Sequence, residues 1–443
     1  MLRGRKVHYR GVLLGGVAAA VLVYAQTGVY AVSPCLQTQV AKLTGNGSDY
    51  FGGGVAISGN AIAVGASWDA DKGGQAGAMY IFRNSGSGWV QEAKLTASDG
   101  SGGDHLGQTV AISGNVAVAG ARYKEAAYVF RFNGSTWSQD AKLTASDGVS
   151  GDYFGSSVGV SGDTLVVGSQ WDDNERGTNA GSAYVFHYNG SAWVQTQKLL
   201  ASDGASGDQF SAERSLCISD DLLVVGATPN DNANGADAGA AYVFRFSGST
   251  WGEEAKLIAP GGAVGDGFGT SLGISGNAIV VGAGLGDGAV ADSGAAYVFR
   301  YSGSGWAPEA KLYASDGALQ DSFGISVAID TDTVIVGAHA DDDLGTSSGS
   351  AYIFRHAGSS WGGATKVTAS DGSAGAFFGA SLALQGSTAV VGAGAGGPGA
   401  AYVYNLVCDI PTVSAWGVVV MMLLLSCAGA VVVVKRRHRV AYT

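Results

Sequence analysis

The sequence predicts an all-β chain, folded as a seven-bladed β-propeller of four-stranded antiparallel blades. Three observations carry that prediction. The 443 residues include 73 Gly and only 6 Pro, with 14% charged residues, a composition suited to many short strands joined by tight turns. The string AYVF or a close variant ends at Phe82, Phe130, Phe186, Phe244, Phe299, Phe354 and Tyr404. A second marker, AKL or a variant, places Lys at 42, 94, 142, 198, 256, 311 and 366, spaced 48 to 58 residues apart. Seven near-identical units without a break argue for a closed ring over two β-sandwiches.

Within a unit each strand is legible. In the third, SSVGVS alternates as an inner strand, Gly162-Asp163 makes a two-residue turn, and TLVVGS reads as a buried second strand. A loop leads to the third strand, SAYVFHY, and the turn NGS to the outer strand, WVQTQKLL. Trp89, Trp137, Trp193, Trp251, Trp306 and Trp361 open six outer strands and read as packing between neighbouring sheets. The AKL lysines are expected on those strands as charges that discourage edge pairing. NGS at Asn46, Asn133 and Asn189 fits the glycosylation pattern, but a hairpin turn explains it as well.

The stretches YFGGGVAISGNAIAVGAS from Tyr50, YFGSSVGVSGDTLVVGS from Tyr153, GFGTSLGISGNAIVVGAG from Gly267 and SFGISVAIDTDTVIVGAH from Ser322 resemble the FG-GAP repeat family. Its members include the integrin α propeller, and the bacterial secreted versions are the nearer resemblance. The resemblance covers residues 41 to 404; it implies the fold strongly and a function only weakly. QVAKLT at 39–44 supplies only an outer strand, and the last unit stops after its third, so the two should complete one blade and close the ring. Aligning Tyr404 with Phe130 and Lys42 with Lys142 puts Cys408 on Gly134 and Cys35 on Ser135, neighbours in one turn. A Cys35–Cys408 disulfide is therefore expected to replace the missing peptide link in an oxidising compartment. Cys217 reads as a small buried residue and Cys427 as part of an apolar tail.

Acidic residues fall into three sets. Asp49, Asp104, Asp152, Asp208, Asp266 and Asp321 precede the inner strands by two residues and are expected to cap turns. The ASDG turns at Asp99, Asp147, Asp203, Asp316 and Asp371 read the same way. The third set varies between blades, in the loop joining second and third strands, and includes Asp69, Asp71, Asp172, Asn174, Asn230, Asn232, Asn234, Asp237, Asp341 and Asp343. These loops and the inter-blade linkers leave the sheet on one face, which should be strongly acidic. Hard oxygen donors in flexible loops suit Ca²⁺, with solvated turns as the plainer alternative. The family resemblance implies a D-x-D-x-D-G loop, from which NDNANGAD at Asn230 departs by carrying Asn for Asp.

No catalytic set emerges. Gly155-Ser156-Ser157-Val158-Gly159 matches the nucleophile-elbow pattern, yet it runs into a strand where that motif needs a strand-to-helix turn. GAGAGG from Gly392 precedes a strand where a phosphate cradle would open a helix. Six scattered His carry no metal-hydrolase spacing.

The two ends differ from the repeats. Residues 1–31 join Arg3, Arg5, Lys6 and Arg10 to an apolar run and small residues, the layout of a signal peptide. Residues 35–408 form the propeller, and 409–443 hold an apolar run from Gly417 to Val434 followed by KRRHR. That run is about 27 Å long as a helix, enough to span a bilayer with the repeats outside. IPTVSAWG, with Ile410, Pro411, Thr412, Trp416 and Gly417, resembles the IPTL-CTERM sorting signal of Gram-negative bacteria, which implies handling by an exosortase-like membrane enzyme. Between the basic ends, 17 Lys and Arg oppose 36 Asp and Glu, a net charge of −19 that disfavours nucleic acid. The expectation is a monomeric, non-enzymatic surface propeller that binds a protein through its acidic loop face. A lectin is the runner-up and an enzyme third; exposed aromatics in the variable loops, here Trp68 and Trp171, would favour the lectin.

Overall fold

The structure, a computed structural model, describes residues 37–406 apart from 48, 359 and 395–398. The leader, Cys35, Cys408, Ile410, Pro411, Thr412, Trp416, Gly417 and the apolar run lie outside the described residues. Among the described residues no helix is long and apolar enough to cross a membrane.

Seven antiparallel sheets follow one another along the chain, each ordered from inner to outer strand. Blade 1 comprises Phe51–Ser58, Ala61–Ala66, Ala78–Asn84 and Trp89–Leu95. Blade 2 has Val110–Ser113, Val116–Ala121, Ala126–Phe132 and Trp137–Leu143, and blade 3 has Phe154–Ser161, Thr164–Ser169, Ser182–Tyr188 and Trp193–Leu199. Blade 4 has Leu216–Ser219, Leu222–Ala227, Ala240–Phe246 and Trp251–Leu257, and blade 5 has Phe268–Ser275, Ala278–Ala283, Ala295–Tyr301 and Trp306–Leu312. In blade 6 the outer strand is broken by Gly362 and Gly363 into Ser360–Trp361 and Thr365–Val367. Blade 7 takes Phe378–Gln385, Thr388–Ala393 and Ala400–Asn405 from the end of the chain and Thr38–Leu43 from its beginning. Lys42 pairs with Tyr402 across that seam, so the expected closure is the observed one. Each inner strand packs beside the next, and the seventh packs beside the first.

The third strands explain why the blades stack. In AYVF, alternate side chains enter opposite faces of the sheet, and both faces are covered by neighbouring blades. Met79 and Ile81 of blade 1 thus share a core with Tyr128 and Phe130 of blade 2. The Phe that opens an inner strand stands edge-on to the tyrosine of the third, as Phe154 does to Tyr184 at 5.5 Å. Outer-strand tryptophans bridge blades as expected: Trp137 Nε1 donates to Glu92 Oε2 at 2.8 Å, and Trp193 Nε1 to Asp140 Oδ2 at 3.1 Å.

Near the axis the blades approach too closely for a side chain. A Cβ on Gly120 would lie 2.1 Å from the Gly155 carbonyl oxygen, and one on Gly282 would lie 2.0 Å from that of Gly324. Glycine in the second strand is therefore a packing requirement. The same carbonyls accept hydroxyl hydrogen bonds: Ser271 Oγ donates to Gly324 O at 2.8 Å, Ser326 to Gly379 O at 2.6 Å and Ser381 to Gly52 O at 2.8 Å.

Candidate functional site

Ser157 belongs to this inter-blade stitching. It is 1% exposed, and its Oγ donates to the Ser211 carbonyl at 3.1 Å. It lines an axial channel of about 150 Å³ to which every inner strand contributes. The G-x-S-x-G match is a packing motif.

The capping aspartates do as expected. Asp104 Oδ2 accepts from Ser101 N at 2.7 Å, Asp152 from Val149 N, Asp208 from Ala205 N, Asp266 from Ala263 N and Asp321 from Ala318 N. Burial raises the carboxyl pKa of Asp152, Asp208, Asp266 and Asp321 above the usual range.

The ASDG aspartates and the AKL lysines depart from expectation together. The lysines do not project as free edge charges: each long stem turns along its tyrosine ring, and in six blades the ammonium meets a carboxylate. Lys142 Nζ is 2.6 Å from Asp99, Lys256 is 2.7 Å from Asp203 and Lys42 is 2.5 Å from Asp371. Lys198 joins Asp147 and Asp172, and Lys366 joins Asp316, Asp341 and Asp343. In blade 1 Lys94 holds Asp69 and Asp71. The third-strand tyrosine donates to the same acids, from Tyr80 on Asp69 at 3.3 Å to Tyr402 on Asp371 at 2.7 Å. Alternation along a strand sets the face of a lysine but not where its head settles, so this network was not read from the pattern.

That network claims the acids expected to bind calcium. Asp69, Asp172 and Asp341 are each at most 3% exposed and already carry an ammonium. The asparagines turn their amide hydrogens to the chain: Asn174 Nδ2 donates to Gly181 O, Asn230 to Asp208, Asn232 to Gly239 O and Asn234 to Ala259 O. Asp237 lies on the surface, and its N–H donates to Asp231. No group of three or more His, Cys, Asp or Glu suited to a metal occurs among the described residues. At Asp69, Asp71, Asp172, Asp341 and Asp343 a calcium ion would have to displace a lysine; the Asn230–Asp237 loop holds none among the described residues.

The feature missed by sequence lies at the channel mouth on the loop face. Blade 4 runs ten residues from Phe210 to Ser219 where blade 3 runs eight from Phe154 to Ser161, and the surplus is Glu213 and Arg214. Arg214 spans the mouth, donating to Gly53 O at 2.9 Å and Ala380 O at 3.0 Å in blades 1 and 7. Glu213 accepts from Arg122 Nη1 at 2.9 Å and Gln108 Nε2 at 3.0 Å in blade 2. The length mismatch was the available signal.

Around this bridge stands a crescent of aromatic rings. Tyr50 stacks on Trp68 at 5.1 Å, Tyr153 on Trp171 at 4.4 Å, and Tyr123 joins them through His105 and Tyr153. His339 and Phe377 continue the arc at 5.5 Å. Trp68, Tyr123 and Trp171 are 46%, 47% and 38% exposed. The position before the Phe that opens each blade, or before Leu106 in blade 2, is left-handed: φ is 55° at Tyr50, 54° at His105, 59° at Tyr153, 50° at Gln209, 59° at Ser322 and 53° at Phe377, with Gly267 the one glycine. Bulky residues accept that strain of about 1–2 kcal/mol each where a tight turn must aim the side chain at the mouth.

Two cavities flank Arg214. One of about 270 Å³ is lined by Trp68, Tyr123, Arg122 and Glu213, the other, of about 200 Å³, by His339, Phe377 and Tyr50. Buried Gln108 Oε1, Arg122 Nε, Arg214 Nε and His339 Nδ1 have no hydrogen-bond partner among the described residues. Burial, reinforced by Arg214, holds the His339 pKa down to about 4, so the imidazole is neutral at pH 7. Ring faces, one acid, two guanidinium groups and unspent polar atoms can receive a ligand with both flat and polar surfaces.

The FG-GAP repeat model matches residues 37–82, 89–130, 137–186, 193–244, 251–299, 306–354 and 361–404. The chain belongs to the FG-GAP repeat family. Each match in this FG-GAP protein starts at an outer strand and ends in the third strand of the next blade, so the sequence repeat is offset by one strand from the structural blade. That offset produces the two-ended seventh blade. Among solved structures the chain is similar to the U3-55K structure, with TM-score 0.52 and 15% identity over 83% of this chain and 98% of that one. It is also similar to the RRP9 WD40 repeats, with TM-score 0.54 and 15% identity over 84% of this chain and 100% of that one. At that identity these show the fold alone. No curated protein matches.

Proposed function

We propose that the chain is a monomeric, non-enzymatic binding propeller that engages a protein ligand across the channel mouth of its loop face. The aromatic crescent with unspent polar atoms around Arg214 carries this reading: binding surfaces concentrate rigid aromatic anchors beside arginine. Display on the envelope or outer surface of a Gram-negative bacterium is the reading that the basic leader and the IPTL-CTERM-like tail support, with the tail in the membrane before an exosortase-like enzyme processes it. Calcium would assist this face through its loop carboxylates, displacing a lysine where one is bound.

A carbohydrate ligand is the second reading, favoured by the stacked Tyr50–Trp68 and Tyr153–Trp171 pairs, whose ring faces suit sugar rings. Screening the full chain against protein fragments and glycans, beside a Trp68→Ala/Trp171→Ala variant, separates the two. A protein hit lost in the variant supports the first reading, and a glycan hit lost in it transfers the site to the second. A hit of either kind that the variant retains removes the mouth as the site.

A further inference from the structure

Six blades complete a three-part contact in which the third-strand tyrosine and the outer-strand lysine share a carboxylate. Blade 5 has the first two parts and not the third. Tyr297 is 1% exposed and its Oη has no hydrogen-bond partner among the described residues. The ammonium of Lys311 lies 5.4 Å from the centre of the Tyr297 ring, as Lys256 lies 5.3 Å from Tyr242, yet Lys311 forms no ion pair among the described residues. In blade 4 the equivalent pair grips Asp203 through bonds of 2.7 Å from each partner.

The carboxylate is missing at both places that supply it elsewhere. The linker into blade 5 reads Ala259-Pro260-Gly261-Gly262 where five others read Ala-Ser-Asp-Gly. Gly261 has φ +70°, and Gly262 N donates to Ala259 O at 3.1 Å, a turn with Pro and Gly at its centre. In the loop, Gly286 stands where Asp69, Asp172 and Asp341 stand in their blades. Of the nearby acids, Asp266 accepts from Ala263 N at 2.8 Å and Asp287 from Asp292 N at 3.3 Å, while Asp292 is exposed on the surface. The space that a side chain at Gly261 would enter is open to 4 Å.

We propose that the Tyr297–Lys311 position is a carboxylate-binding site, filled by an aspartate or glutamate side chain of a protein ligand. A buried hydroxyl without a partner beside an unpaired ammonium gains a charge-assisted hydrogen bond and an ion pair from one incoming carboxylate. Six sister blades hold that charge, five of them beside a capping aspartate and blade 7 beside Ala376. The identification of the ligand as protein rests on the function proposed above, whereas the carboxylate site does not.

The test is thermal unfolding of the full chain in sodium acetate against sodium chloride at equal ionic strength, and with Gly-Asp-Gly against Gly-Asn-Gly peptide. At ten times its dissociation constant, acetate is expected to raise the wild-type midpoint by about 2 °C over chloride. Lys311→Met should abolish the difference. Pro260→Ser/Gly261→Asp, which restores the internal carboxylate, should raise the midpoint without acetate and abolish the response. No acetate effect on the wild type, or an equal effect on wild type and Lys311→Met, overturns the site. An acetate response without discrimination between the two peptides keeps the site and overturns its occupation by a protein side chain.

Discussion

The ammonium of Lys366 lies 2.8 Å from the buried Asp341 carboxylate and also contacts those of Asp316 and Asp343. Removing it leaves three carboxylates facing one another. Lys366→Met should destabilise the chain by about 3 kcal/mol, because the acid left behind is buried. It should also create a response to Ca²⁺ that the wild type lacks: at 10 mM ion and a millimolar dissociation constant, about 1.4 kcal/mol returns. Urea unfolding of both proteins with Ca²⁺ and with EDTA checks this. A wild-type response equal to the variant's would show that calcium and lysine do not compete.

The inter-blade hydroxyls predict graded losses. Ser326 Oγ is the side-chain donor to Gly379 O at 2.6 Å, so Ser326→Ala leaves a buried carbonyl without that partner and should cost about 1–2 kcal/mol. Ser211 O also receives Ser156 Oγ at 3.1 Å, so Ser157→Ala should cost about 0.5 kcal/mol. Ligand binding should persist in both variants. Chemical denaturation orders the two, and the reverse order would refute the stitching role.

Acid sensitivity follows from the lysine-bound aspartates. Lys142 and Tyr128 hold the Asp99 carboxyl down to about 2, and Lys42 and Tyr402 lower that of Asp371, against about 3.9 in an unfolded chain. A depressed carboxyl contributes stability above the unfolded value and loses it as pH falls through the folded one, here from about pH 4 towards about 2. The buried capping acids act oppositely. Their raised values in Asp152, Asp266 and Asp321 cost stability above those values and release the cost on protonation. The urea midpoint should therefore hold down to about pH 4 and then fall, with a shallower fall in Asp99→Asn. A steady decline from pH 7 would contradict this balance.

How far the sequence reached depended on whether a feature repeats. Thr38–Leu43 completes the blade of Ala400–Asn405 because the markers at Lys42 and Tyr404 count strands correctly. Asp152 capped its turn because a side chain two residues from a strand has few places to go. Lys198 was misplaced because its four-carbon stem lets the head reach a linker that the strand pattern does not describe. Glu213 and Arg214 were missed because they interrupt the repeat, and a reading built on what recurs passes over what occurs once. The Tyr297–Lys311 gap became visible only beside its six completed counterparts.

The left-handed ring predicts a split between stability and binding. Gln209, at φ 50°, makes no aromatic stack, whereas Gly267 holds the same place in blade 5 without strain. Gln209→Gly should gain about 0.5 kcal/mol, since the relief of left-handed strain exceeds the entropy cost of glycine. Tyr153→Gly gains the same relief but loses the 4.4 Å stack on Trp171, so its stability should change little while ligand binding falls. Calorimetry of both variants with a ligand found for the wild type distinguishes strain kept for aiming a ring from strain kept for folding.

The bridge at the mouth allows a cleaner experiment than a point substitution. Every other inner strand crosses the channel rim without Glu213 and Arg214, so deleting both returns blade 4 to the common eight-residue spacing. The fold should survive, since the pairing of Leu216–Ser219 with Leu222–Ala227 lies beyond the deleted residues and is left intact. Gly53 O and Ala380 O lose their guanidinium partner but line the cavity of about 200 Å³, where water can replace it, so the unfolding midpoint should drop by less than about 5 °C. Binding should respond far more, because the deletion joins the two cavities and removes the acid that orders Arg122 and Gln108. A deletion variant that folds and binds with wild-type affinity would place the ligand elsewhere on the loop face.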